Sequence, residues 1–169
     1  MPLRFPALAL VLVVALAGCD SNGSTSALRD LDGTYTVAQL TFDPQAGGLA
    51  DADVGARLDA QTSFDIFSGN NTVLFTISRG GSRSLATLDA TATRSRATFT
   101  ARAGSEDELA ALLLPRTFSL TFDPAAPRTL TGEINLTNVD LEAFDPAQYA
   151  GLRAVAGTLR IRLDRRATS

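Results

Sequence analysis

The sequence predicts an all-β domain, an antiparallel eight-stranded up-and-down barrel with one or two short helices in its loops. Three observations carry that reading. Apolar and polar residues alternate with a period of two in short runs. Clusters of turn-forming residues punctuate those runs. Long connections alternate with short ones along the chain. A β-sandwich with the same strand count is the alternative.

The first strand, Gly33 to Phe42, changes phase between Tyr35, Val37 and Leu40, Phe42, which predicts a bulge. The second lies within Leu58 to Phe67 and turns Phe64 and Ile66 inward. Val73, Phe75 and Ile77 define the third, and Ser84 to Ala92 the fourth, with either Leu85 or Leu88 facing the core. Ala97, Phe99 and Ala101 mark the fifth; Phe118, Leu120 and Phe122 alternate with Thr117, Ser119 and Thr121 in the sixth. The seventh sets Leu130, Gly132, Ile134 and Leu136 against Thr129, Thr131, Glu133 and Asn135. The eighth is the cleanest, with Val155, Gly157, Leu159, Ile161 and Leu163 on one face and Arg160 and Arg162 on the other.

Ser68 to Asn71, Thr93 to Ser95 and Asp123 to Pro127 are short turns, so the strands that they join are antiparallel neighbours. Asp43 to Arg57, Ala103 to Pro115 and Asn138 to Ala154 are long, and Arg79 to Ser82 is tight. In an up-and-down arrangement all the long connections fall at one end of the sheet. Ser105-Glu106-Asp107-Glu108 reads as an N-cap with acids in the first turn of a helix running to Leu114, stopped by Pro115. Asp140 to Gly151 carries a weaker helical pattern interrupted by Pro146. Phe-Asp-Pro occurs at Phe42, Phe122 and Phe144; each Phe reads as a last core residue and each Asp-Pro as a turn opening.

Upstream of these strands, one cation (Arg4) precedes an uncharged run from Phe5 to Leu16 and small residues at Ala17 and Gly18. The run is shorter than the ~20 residues of a membrane-spanning helix. Leu16-Ala17-Gly18-Cys19 resembles the lipobox of bacterial lipoproteins. That resemblance implies cleavage between Gly18 and Cys19, with diacylglycerol on the Cys19 thiol. It divides the chain into a signal peptide (1–18), a lipidated Cys and flexible tether (19–30) and a β-barrel domain (31–166). Each buried acyl methylene contributes about 0.8 kcal/mol, so two or three chains hold a protein on a bilayer without a spanning helix. The expected location is the cell envelope. Asp20 resembles an inner-membrane retention signal, but that code varies between bacterial groups, so inner and outer membrane both stay open.

Composition narrows the chemistry. Cys19 is the only cysteine, so the exported domain has no internal disulfide and folds by core burial alone. All 15 basic residues are arginine and there is no histidine. Beyond residue 18, 14 arginines face 18 acids, a net charge of −4 that argues against nucleic-acid binding. With no histidine and an acylated thiol, neither a Ser-His-Asp site, a Cys nucleophile nor a His or Cys zinc site can be built. No cofactor and no catalytic residue are expected. Asp43, Asp51, Asp53 and Asp59 read as a solvated acidic loop, and Glu106 to Glu108 as acids answering a helix dipole.

Leu31-Asp32-Gly33-Thr34-Tyr35 resembles the Gly-x-Trp opening of the lipocalins and of lipocalin-like bacterial lipoproteins, with Tyr35 in place of the Trp. The resemblance implies that Tyr35 packs beneath a closed barrel floor under a last-strand arginine, for which Arg160 and Arg162 are the candidates. Fold analogy does not carry ligand identity; the apolar inner face under a mouth rimmed by long loops is what suggests a small apolar molecule or lipid held inside the barrel, with Phe75, Phe99 and Phe118 as candidate cavity-lining residues. The alternative is a structural or protein-interaction lipoprotein whose core is filled.

Overall fold

The computed structural model describes residues 27–167. A helical turn at residues 27–30 (α1) leads into β1 (Gly33–Pro44), β2 (Ala52–Asp53), β3 (Ser63–Phe67), β4 (Thr72–Arg79), β5 (Ser82–Thr93) and β6 (Arg96–Ala101). After α2 (Glu106–Ala110) come β7 (Thr117–Thr121), β8 (Thr129–Val139), α3 (Leu141–Phe144) and β9 (Val155–Arg165). Every pairing is antiparallel, the order is β1-β3-β4-β5-β6-β7-β8-β9, and β9 pairs back onto β1. The sheet is therefore a closed eight-stranded barrel and not a sandwich. Closure removes the free edges that an open sheet would have to protect.

Binary patterning decides what faces inward. On β9, Val155, Gly157, Leu159, Ile161 and Leu163 are buried while Arg160 and Arg162 point outward. On β5, Leu88 is the inward residue and Leu85 is 52% exposed, which resolves the ambiguity of that strand. Packing then follows from size. Phe64 and Phe75 are cross-strand partners, as are Phe99 and Phe118. Their neighbours on β5, Ala86 and Ala90, are small and leave room for the rings. Large rings beside small residues are one way in which side chains fill an eight-stranded interior.

The seam between β1 and β9 runs from Tyr35↔Arg165 to Pro44↔Gly157, with a register shift between Val37 and Gln39. This is the bulge that the phase change predicts. On its other side β1 pairs with β3 only at Gly33 to Tyr35, and then swings away. The two-residue β2, too short to show in the sequence pattern, takes over at Thr41↔Asp53 and Phe42↔Ala52 and buries Ala52 and Val54. Arg166 donates to the carbonyls of Ala60 (3.3 Å) and Thr62 (3.2 Å), acceptors that lie beyond the short β1–β3 ladder.

The long connections β1–β3, β6–β7 and β8–β9 and the tight β4–β5 turn gather at one end, the mouth; the short turns and α1 lie at the other, the floor. At the mouth end of the seam, Gly157 lies so close to the Asp43 carbonyl and the Phe42 ring that a Cβ would overlap both. Gly157→Ala should therefore cost about 1–3 kcal/mol by overpacking. Urea unfolding would measure it, and an unchanged midpoint would show that the seam yields.

Candidate functional site

The floor is assembled first. Leu28 and Leu31 are buried beneath the barrel, so residues 27–30, assigned to the tether, pack as part of the floor plug. Tyr35 is fully buried, and its hydroxyl donates to the carbonyls of Leu31 (3.0 Å) and Pro127 (3.4 Å). Its register partner on β9 is Arg165, whose guanidinium donates to the carbonyls of Asp30 (3.3 Å) and Asp32. Gly33, at φ +138°, leaves space for that guanidinium: a Cβ there would sit 3.0 Å from Arg165 Nε.

The last-strand arginine beside the opening aromatic is thus Arg165, in place of Arg160 or Arg162. Arg160 lies toward the mouth and pairs with Asp43 (2.7 Å), Glu133 (3.6 Å) and Asp51 (4.0 Å). Arg162 pairs with Asp164 (3.0 Å). Both alternate outward along β9. Arg165 follows the last apolar residue, Leu163, where the strand passes over the floor.

Phe75, Phe99 and Phe118 come together with Phe64 in the core. Phe64 meets Phe75 edge to face at 5.3 Å between ring centroids and Phe99 at 5.1 Å; Phe99 meets Phe118 at 5.4 Å. Each such aromatic pair is worth about 0.5–1.5 kcal/mol beyond its burial. Phe75 and Phe99 are at most 1% exposed. The rings are spent on one another.

A cleft of about 550 Å³ lies instead at the mouth, outside this packing, between the segment after α2, the end of β8 and α3. Leu113, Leu136 and Phe144 line it, all half-buried. The segment after α2 closes with Leu113 N–H donating to Ala110 O (2.9 Å) and Leu114 N–H to Leu109 O (3.0 Å). That pattern puts Leu113 in the left-handed region, φ +59°, where glycine is the usual residue. Asn138, at φ +60°, borders the same cleft within the irregularity of β8 between Leu136 and Val139.

Two arginines complete the rim. The Arg57 guanidinium stacks 3.7 Å over the Phe144 ring, donates to the Phe144 carbonyl and pairs with Asp145 at 2.9 Å. Arg79, the last residue of β4, makes one long bond of 3.4 Å to the Ala111 carbonyl and has no carboxylate within ion-pair distance among the described residues. A second depression, of about 680 Å³, borders Asp32, Phe67 and Arg165 on the floor side and runs to Ala167, the last described residue.

The acidic residues have local employment. Asp43 and Asp51 face Arg160; Asp53 accepts from Ala56 N–H (3.0 Å) and Asp59 from Gly81 N–H (3.1 Å). Ser105 does not cap α2 with its side chain; its hydroxyl accepts from Thr87 N–H at 2.9 Å. The Glu106 carboxylate accepts from Gly104 N–H (2.8 Å) and Ser105 N–H (3.1 Å). Hydrogen bonds from backbone N–H groups, its own foremost, hold that carboxyl below its ordinary range. Helix α2 stops at Ala110, before Leu114, and α3 is a single turn capped by Asp140 Oδ1 accepting from Ala143 N–H (2.8 Å).

The cleft residues carry faint sequence signals. Leu113 sits inside an apolar run that reads as helix, and Arg79 beside a Gly-Gly turn reads as a solvated strand end. The third Phe-Asp-Pro is the one usable clue: Phe42 and Phe122 enter the core as expected, whereas Phe144 ends a helical turn and faces the cleft. Gly18, Cys19 and the signal and lipobox readings lie outside the described residues. Among the described residues, no helix is long and apolar enough to cross a membrane.

The floor makes a pH prediction. Burial pushes the Tyr35 hydroxyl above its ordinary pKa, with Arg165 pulling less strongly the other way. A raised folded-state value means that its contribution to stability is present below the unfolded value of about 10 and is lost as pH rises through the folded one. Tyr35→Phe should cost about 1–3 kcal/mol near neutral pH by stranding a buried carbonyl, and should weaken the alkaline loss of stability. Denaturant melts at neutral and alkaline pH test this; a loss of equal slope in both proteins would remove Tyr35 as its source.

No protein-family model matches the chain, and no curated protein or solved structure does.

Proposed function

We propose that the chain is an exported lipoprotein, held on a bilayer through acylated Cys19, whose barrel carries a small apolar molecule in the cleft at its mouth. The observation that supports the binding half is the cleft itself, about 550 Å³ bounded by half-buried Leu113, Leu136 and Phe144. That volume is in the range of small-ligand sites, which are concave, mostly apolar and edged by a few polar groups. The site differs from the interior cavity that the apolar inner face suggests, because Phe64, Phe75, Phe99 and Phe118 pack against one another there.

The lipobox supports the anchoring half. The segment from Cys19 joins α1, which plugs the floor, so the mouth and its cleft would face away from the anchoring bilayer. The filled interior also favours a second reading, in which the barrel is a solid scaffold whose mouth loops dock a protein of the envelope.

Cys19→Ser should move the protein from the membrane fraction to the soluble exported fraction; undiminished membrane association would remove the anchor. Binding is read from the fluorescence of the neutral apolar probe N-phenyl-1-naphthylamine. Ala143 borders the cleft and is exposed, so Ala143→Trp should obstruct the site without disturbing the core. The expected result is enhanced fluorescence with the parent protein and about tenfold weaker binding with the variant, a difference of about 1.4 kcal/mol. No enhancement with the parent protein would favour the scaffold reading.

A further inference from the structure

We propose that the ligand of the mouth cleft is a single-chain amphiphile with a carboxylate head, the head on the Arg79 guanidinium and the chain along Leu113, Leu136 and Phe144. This deepens the binding reading above and rests on it. The head is argued from charge. Arg57 and Arg79 both border the cleft, but Arg57 is already satisfied by Asp145, the Phe144 carbonyl and the Phe144 ring. Arg79 is half-buried as a residue, its guanidinium has only an exposed 3.4 Å bond to Ala111, and that group offers a planar fork of donors that a carboxylate matches with two parallel hydrogen bonds. Asp140 also borders the cleft, with one oxygen engaged by Ala143 N–H. Asp140 is anchored to its own helix turn, so the donors left over on the rim are those of Arg79, and these ask for an anionic acceptor on the ligand.

The chain is argued from Leu113. Its backbone adopts the left-handed conformation that closes the helix end, a position where glycine is strongly preferred and a branched apolar side chain is disfavoured. Local backbone preference therefore gives no reason for a leucine. Its half-buried side chain forms part of the cleft wall, and strained positions of this kind gather at binding sites. Arg79 ends a strand paired along its whole length with β5, which fixes the backbone from which the guanidinium reaches that wall.

The test uses the chain from Asp20 onward, which contains every strand of the closed barrel and its whole described core. Dodecanoate and dodecanol, identical in length, compete with N-phenyl-1-naphthylamine at about pH 8, where a carboxylate is ionised. Dodecanoate should bind about tenfold tighter than dodecanol. Arg79→Gln should abolish that preference and leave dodecanol unchanged, and Arg79→Lys should retain part of it. Leu113→Gly, which suits the backbone, should weaken both competitors by similar factors and keep the preference. Equal affinities in the parent protein, or a preference that survives Arg79→Gln, would overturn the head assignment while the cleft reading stands. Unchanged affinities in Leu113→Gly would overturn the placement of the chain. Failure of the probe and both competitors to bind the parent protein would overturn the cleft reading as well.

Discussion

An eight-stranded barrel encloses a volume that side chains can fill or a small ligand can occupy, and the inward residues of each strand decide which. Here Phe64, Phe75, Phe99 and Phe118 meet across neighbouring strands, and the alanines of β5 and β6 give the rings their space. Trading small residues on one wall for rings on the other keeps packing dense without distorting the strands. With the rings committed to one another, the mouth cleft is built from the connections and strand ends rather than from the barrel interior. The mouth, where the long connections gather, is where the cleft lies.

The two ends of the barrel are finished by different means. At the floor, α1 supplies Leu28 and Leu31, Tyr35 ties them to the β7–β8 turn, and Arg165 binds the carbonyls that lead into β1. Among the described residues, no buried side-chain polar atom is left without a partner. At the mouth, α2 and α3 are one or two turns long, a leucine holds a backbone conformation suited to glycine, and Arg79 keeps donors to spare. The floor is closed by its own polar contacts and the mouth is not, and the binding proposal rests on that asymmetry.

Much of the barrel was legible because period two is a strong signal. The alternation in Val155 to Leu163, the bulge in β1 and the division of long and short connections all follow from residue order alone. What the sequence could not convey depended on partners far apart in the chain. Whether Leu85 or Leu88 faces inward is decided by the register of β4 and β6 against β5. Arg165 is distinguished from Arg160 and Arg162 by its register opposite Tyr35, 130 residues earlier in the numbering. The cleft was the least legible part. Leu113, Leu136 and Phe144 come from three connections or strand ends, each ordinary in isolation, and only closure of the sheet brings them to one rim.

Pairing of the first long strand with the last has a kinetic side. β1 cannot acquire its β9 neighbour until the final stretch of the chain is present, so the barrel's closing step is among the most non-local contacts that a chain of this length can make. Topologies dominated by such contacts fold slowly. For a polypeptide that crosses a membrane before it folds, as the anchoring proposal requires, this delay is protective. A chain threading through a translocation channel emerges with its amino-terminal strand still waiting, and premature compaction on the wrong side of the membrane is discouraged by topology alone.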